Sequence, residues 1–145
     1  YGGWNGVLAS ILFNSNIAIQ RITSVDIDPV CEDIANTVNR RYLDQSKFTA
    51  ITADMTTVID ESADVVINTS CEHITQEQYD KWLNNQPNNA TIVLQSNNYF
   101  NLDEHIRCST DLEDFVRMSN INPYLRKTLE TLKYDRYMLI GKKNV

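Results

Sequence analysis

The sequence has no metal-binding cysteine spacing, no basic stripe, no long apolar run and almost no glycine outside its first six residues. Its three cysteines, Cys31, Cys71 and Cys108, form no C-x-x-C or C-x-x-H pair. That argues against a zinc site, and no metal site is expected. Scattered cysteines in odd number suit a reducing compartment better than a disulfide scaffold, so a cytoplasmic location is expected. The only basic clusters are Arg40-Arg41 and Lys142-Lys143, and the net charge is −6. Non-specific nucleic-acid binding is therefore not expected, and the partner is read as a small-molecule or protein substrate. The apolar runs are too short to span a bilayer. The first residues have neither the basic start nor the apolar stretch of a signal peptide. The chain starts at Tyr1 rather than Met, which points to a fragment, a processed product or a clipped form.

With 145 residues and 42% hydrophobic content, the chain has enough material for one core of ordinary size, and a single domain over 1–145 is expected. Three of its four glycines fall in Tyr1-Gly2-Gly3-Trp4-Asn5-Gly6. Such a turn lets backbone N–H groups approach a ligand and aims a helix N-terminus at it. The helix behind it covers 7–13, with Asn5 as the expected N-cap. Residues 21–25 read as a strand. Asp28-Pro29 then opens a second helix, Asp as N-cap and Pro at the first helical position. Its expected buried face is Val30, Ile34 and Val38. Further strands are read at 48–53, 63–68 and 90–95, and helices at 75–83 and 111–118. Two β-runs, 125–134 and 136–141, lie so close in sequence that they must pair antiparallel. The whole reads as alternating α and β ending in a β-hairpin.

Four polar features close successive strands, which is where open α/β sheets bind ligands. They are the glycine turn; Asp26, twenty positions after Gly6; Asp54-Met55; and the run Asn68-Thr69-Ser70-Cys71-Glu72-His73. An acid at Asp26 can accept from ribose hydroxyls. A carboxylate at Asp54 can accept from an exocyclic amine. Singly, each has a plainer reading as a turn former, a cap, a solvated acid or a packed histidine, and Cys71 as a small buried hydrophobe. Their order along the chain is what adds weight.

In that order the chain resembles the class I S-adenosylmethionine-dependent methyltransferases over nearly its whole length. Gly2-Gly3-Trp4-Asn5-Gly6 is similar to the tail of their first motif. Val25-Asp26-Ile27-Asp28-Pro29 resembles the second, and Thr52-Ala53-Asp54-Met55 the third. Asp64-Val65-Val66-Ile67-Asn68 through Glu72-His73 resembles their fourth strand and its acid–histidine ending. The resemblance implies a Rossmann-like, mostly parallel α/β sheet with a C-terminal antiparallel hairpin. It implies S-adenosylmethionine as cofactor and S-adenosylhomocysteine as product. The implied cofactor contacts are Gly2, Gly3, Trp4, Gly6, Asp26, Ile27, Asp54, Met55 and Asn68, and the implied general-base candidates are Glu72 and His73. The family's first strand and its acid would precede Tyr1, so a truncated sheet is expected. Such a sheet has two unpaired edges that invite homodimerisation. Trp4 stands where the motif has its middle glycine, and no Asn-Pro-Pro-Tyr motif follows the fourth strand. Tyr99, Phe100, His105 and Arg107, in the polar segment 96–109, are candidate substrate contacts.

Two other readings compete. A nicotinamide-binding Rossmann oxidoreductase fits the spacing to Asp26, but its G-x-G-x-x-G fingerprint needs glycine at Tyr1. A catalytically incomplete binding or assembly module is the third.

Overall fold

The computed structural model describes residues 1–144. The chain forms two compact units, Tyr1–Val58 and Ile59–Val145. The first holds α1 (Val7–Phe13), β1 (Ile22–Asp26), α2 (Pro29–Val38), the single turn α3 (Arg40–Leu43) and β2 (Phe48–Thr52). Strands β1 and β2 pair in parallel, Ile22 opposite Phe48 and Asp26 opposite Thr52. That is a βαβ unit with α2 as the crossover. One core cluster is Ala9, Ala35, Phe48 and Ala50, with Phe13, Ile22 and Tyr42 packed against them, and Val25 and Cys31 are buried as well.

The start of α2 follows the sequence. The Asp28 side chain accepts from Val30 N at 2.9 Å and Pro29 takes the first helical position. Two expectations are corrected. Gly6, not Asn5, is the N-cap of α1, at φ 72° and with no side-chain cap bond. The buried face of α2 is Cys31 and Ala35, whereas Val30, Ile34 and Val38 stay 62%, 39% and 46% exposed. Both faces have helical spacing, and the side chain of Ala35 is small enough to let α2 sit close to α1 and the strands. Close approach, rather than apolar bulk, decided which face turned in.

The second unit holds β3 (Val65–Asn68), a 3-10 turn (Cys71–His73), α4 (Gln76–Asn84), β4 (Thr91–Asn97), α5 (Leu112–Ser119), β5 (Ile121–Glu130) and β6 (Asp135–Lys143). The strand order is β3-β4-β6-β5. β3 and β4 are parallel; β6 runs antiparallel to both β4 and β5. Helix α4 opens on a full capping box between Thr75 and Gln78. Its Tyr79, Trp82 and Leu83 are buried, as their spacing predicts, and so are Ile92, Leu94, Phe115 and Leu139 of the same unit.

The hairpin is present, but β5 begins four residues earlier than its apolar run and ends at Glu130, leaving 131–134 as the turn. Pro123 hides the early part of this strand in the sequence. It is tolerated because β5 is an outer strand with a register irregularity between Pro123 and Leu125. Gly141 opposite is required for a different reason: a Cβ there would stand 2.4 Å from the Asn122 carbonyl oxygen. The α/β class, the parallel βα units and the closing hairpin thus agree with the sequence reading. Strand β3 is shorter than read, since 63–64 lie outside it. No helix among the described residues is long and apolar enough to cross a membrane.

Candidate functional site

In the first unit the glycine turn and the acid closing β1 are joined. Gly2, Trp4 and Gly6 take left-handed backbone angles, φ 62°, 45° and 72°. Gly3 N donates to Val25 O at 3.0 Å, and Gly6 N to Gly3 O at 3.0 Å. A Cβ on Gly3 would stand 2.0 Å from Ser24 Oγ, so the turn lies directly on β1. The Asp26 carboxylate bridges two segments: Oδ2 accepts from Trp4 N at 2.8 Å and Oδ1 from Asp28 N at 3.1 Å. Asn39, at the end of α2, donates from Nδ2 to Gly6 O at 2.9 Å and fixes the turn from the other side. Trp4 therefore occupies a conformation that suits glycine, with its ring in solvent.

Asp54 stands just beyond β2, where Ala53 N still donates to Asp26 O at 2.8 Å and extends the ladder. Its Oδ1 accepts from Thr56 N at 2.8 Å, an Asx-type turn. Ile27 is exposed and Met55 half-buried. Glu32 escaped the sequence reading. From the first turn of α2 its Oε2 accepts from Thr52 N at 2.7 Å and Thr52 Oγ1 at 2.6 Å. Its signal was an acid in the first turn of the helix after Asp26. In this unit, then, Gly2, Gly3, Trp4, Gly6, Asp26, Ile27, Asp54 and Met55 gather at the ends of β1 and β2.

In the second unit Asn68 closes β3. It is fully buried, and its Oδ1 accepts from Ser70 N at 2.9 Å. That turn leads into Cys71–His73. Cys71 is buried, and burial pushes its thiol up to about 12; it is a packed hydrophobe. Glu72 is not the solvated acid its neighbours suggest. It is 4% exposed. Its Oε1 accepts from Asn97 Nδ2 at 2.7 Å, while Oε2 is buried with no hydrogen-bond partner among the described residues. His73 is exposed, its Nδ1 3.2 Å from Glu104 O.

The segment 97–109 returns onto this turn. Arg107 N donates to Glu72 O at 3.0 Å. His105 places Nδ1 2.7 Å from Tyr99 O, and its ring meets His73 edge-on at 4.8 Å between centroids. Cys108 donates to Asn97 Oδ1 at 3.3 Å and Tyr99 O at 3.4 Å, and its thiol is pushed up to about 11 by burial, with Glu72 adding to the effect. Asn97 thereby links Glu72 to Cys108, a connection no local spacing announces. Arg107 is corrected from a substrate contact to a strut. It is buried, donates to Gln76 Oε1 at 2.7 Å and Met118 O at 2.8 Å, and lies 4.0 Å over the Tyr79 ring.

No family model and no curated protein matches the sequence. Solved structures do match the fold. Magnesium protoporphyrin IX methyltransferase from Synechocystis PCC 6803, with bound S-adenosylmethionine, superposes at TM-score 0.72 and 14% identity, over 99% of this chain and 67% of that one. Geranyl diphosphate C-methyltransferase from Streptomyces coelicolor A3(2), in complex with S-adenosyl-L-homocysteine, matches at 0.70 and 9%, over 99% and 70%. The [4+2]-cyclase SpnF matches at 0.75 and 11%, over 99% and 74%. Across such structures the chain spans from 47% to 79% of the other protein's length. The fold is therefore the Rossmann-like fold of S-adenosylmethionine-dependent methyltransferases. At these identities the likeness establishes the fold and not the activity, and the cyclase among the neighbours makes that distinction concrete.

Proposed function

We propose that the chain binds S-adenosylmethionine and transfers its methyl group to a small-molecule or protein acceptor in the cytoplasm. The observation that carries the reading is Asp26. Its carboxylate closes β1 and is bonded to the backbone of the glycine turn, in a fold shared with proteins crystallised with this cofactor or its product. In this reading the turn Gly2-Gly3-Trp4-Asn5-Gly6 receives the amino-acid end of the cofactor. Asp26 accepts from the ribose hydroxyls through lone pairs its two N–H partners leave over. Asp54 would accept from the adenine amine, and Ile27 and Met55 would flank the ring.

The chemistry is a displacement at carbon. A lone pair of the acceptor forms the new bond to the methyl group, the sulfur–methyl bond breaks, and its electron pair stays on sulfur as neutral S-adenosylhomocysteine. The sulfonium is already activated, so the protein's contribution is orientation. An acceptor that must lose a proton would pass it to a general base or to water.

Titration calorimetry with S-adenosylhomocysteine, with NAD as the control, tests this. Saturable one-to-one binding of the first and none of the second is expected. Replacing Asp26 by Asn should weaken it by roughly tenfold, since about 1–2 kcal/mol of charge-assisted bonding is lost. Absence of a heat signal and of any thermal shift at millimolar S-adenosylhomocysteine, or binding of NAD alone, would overturn the reading.

A further inference from the structure

One ligand atom from each of Glu72, His73 and His105 lies within 4.8 Å of the other two. We propose that these three side chains form a binding site for a divalent first-row transition ion, Zn²⁺ being the best match. Two imidazoles and a carboxylate are a donor set that such ions take, leaving further positions for water or a ligand oxygen or nitrogen.

Three independent features argue for the site over a chance meeting of polar side chains. The first is the orphan oxygen. Glu72 is 4% exposed, its Oε1 is held by Asn97, and its buried Oε2 has no hydrogen-bond partner among the described residues. A buried carboxylate oxygen left unpaired carries its full desolvation penalty, and a cation is the partner that offsets it most directly. The second is the orientation of both rings. His73 Nδ1 faces Glu104 O at 3.2 Å and His105 Nδ1 faces Tyr99 O at 2.7 Å. A carbonyl only accepts, so each Nδ1 carries the proton and each Nε2 keeps its lone pair. That second-shell arrangement is the one metal-bound histidines use. The third is the surrounding packing. Asn97 fixes Glu72 and also accepts from the Cys108 thiol, while Arg107 N ties the Glu72 backbone to the segment carrying His105. The two halves of the donor set, 32 residues apart, are held together by bonds that do not involve the donor atoms.

Ligand atoms on a tetrahedral ion of this kind stand roughly 3.3 Å apart. The three donor atoms lie up to 4.8 Å apart, so binding an ion draws them closer together. Cys108 is no fourth ligand: its thiol is a donor to Asn97 and Tyr99. This inference stands on the second unit alone and does not depend on the cofactor reading. Zn²⁺ binding and S-adenosylhomocysteine binding are separate titrations and fail separately.

The tag-free chain, stripped with chelator, is titrated with Zn²⁺, and with Co²⁺ to read the visible d–d bands of the bound ion. One ion per chain and d–d bands from nitrogen and oxygen ligation are expected. His73→Ala and His105→Ala should each weaken binding by roughly a hundredfold, and Glu72→Gln by roughly tenfold or more. His73 is on the surface, so His73→Ala keeps the fold by circular dichroism even if the Glu72 variant does not. The proposal is overturned if the wild-type chain binds neither ion at one equivalent in the micromolar range. It is equally overturned if His73→Ala and His105→Ala bind as the wild type does.

Discussion

In the first unit Asp26, Asp54 and Glu32 each accept from a backbone N–H group; in the second, the buried Glu72 accepts from a side-chain amide. Asp26 accepts from Trp4 N and Asp28 N, Asp54 from Thr56 N, and Glu32 from Thr52 N. Glu72 instead accepts from the Asn97 amide, and Arg107 reaches Gln76. The cores differ in the same direction. The first unit buries mostly small side chains, Ala9, Cys31, Ala35 and Ala50, together with Val25 and Phe48. The second buries Tyr79, Trp82, Phe115 and Tyr137. A loop whose backbone is the functional surface needs close approach, and close approach needs small residues. A site made of side chains needs large neighbours to hold rotamers still. The first unit should accordingly be the easier to open.

The largest test of that contrast is Phe115→Ala. Phe115 is fully buried in α5 and faces the Tyr137 ring at 6.4 Å. Truncation should cost about 3–5 kcal/mol. The three free cysteines report where. Cys71 and Cys108 are buried with thiols raised to about 12 and about 11, so alkylation at pH 8 reports opening of the second unit, and Cys31 reports the first. Native-state labelling of Cys71 and Cys108 should accelerate in Phe115→Ala far more than labelling of Cys31. Equal acceleration at all three would mean the units do not open separately and would erase the comparison.

The next effect is in the other unit. At Gly6 a side chain meets both a positive φ and a full neighbourhood: a Cβ would stand 2.6 Å from Asn39 Nδ2 and 2.9 Å from Ala35 Cβ. Gly6→Ala should therefore cost about 3 kcal/mol, combining backbone strain with overpacking. Chemical denaturation gives the loss, and Cys31 labelling places it. Faster labelling at Cys71 with Cys31 unchanged would contradict the assignment of Gly6 to the first unit's stability.

The same contrast explains what was legible in the sequence. Asp28-Pro29, Gly2 to Gly6, Asp26 and Asp54 act through the backbone within a few residues, and backbone geometry leaves marks in local spacing. The capping box at Thr75 was equally local. Glu72, Asn97, His105 and Cys108 meet only after β4 and the segment behind it have folded, so no short window contains them. His105 was visible as a polar residue in a loop, but its partner His73 lies 32 positions away. The buried face of α2 was misread for a further reason. Val30, Ile34 and Val38 are more apolar than Cys31 and Ala35, yet the closer packing of the smaller pair won.

The smallest predicted effect sharpens the comparison most, because it concerns the one residue of the glycine turn that departs from what its backbone asks for. Trp4 sits at φ 45° and is 65% exposed. An L-residue in the left-handed region carries about 1 kcal/mol of strain, which asparagine tolerates better than an aromatic residue. The ring buries little, so little packing is lost with it. The bond that matters is made by Trp4 N to Asp26 Oδ2 at 2.8 Å, and it survives any substitution except proline. Trp4→Asn should thus stabilise the first unit by about 0.5–1 kcal/mol, seen as slower Cys31 labelling with Cys71 unchanged. If the proposed cofactor lies along this turn, the exposed indole has a second reason to be there. The same variant, although more stable, should then bind S-adenosylhomocysteine more weakly. A stabilised variant with unchanged affinity would show that the indole does not touch the ligand, and would leave the turn's contribution to its backbone alone.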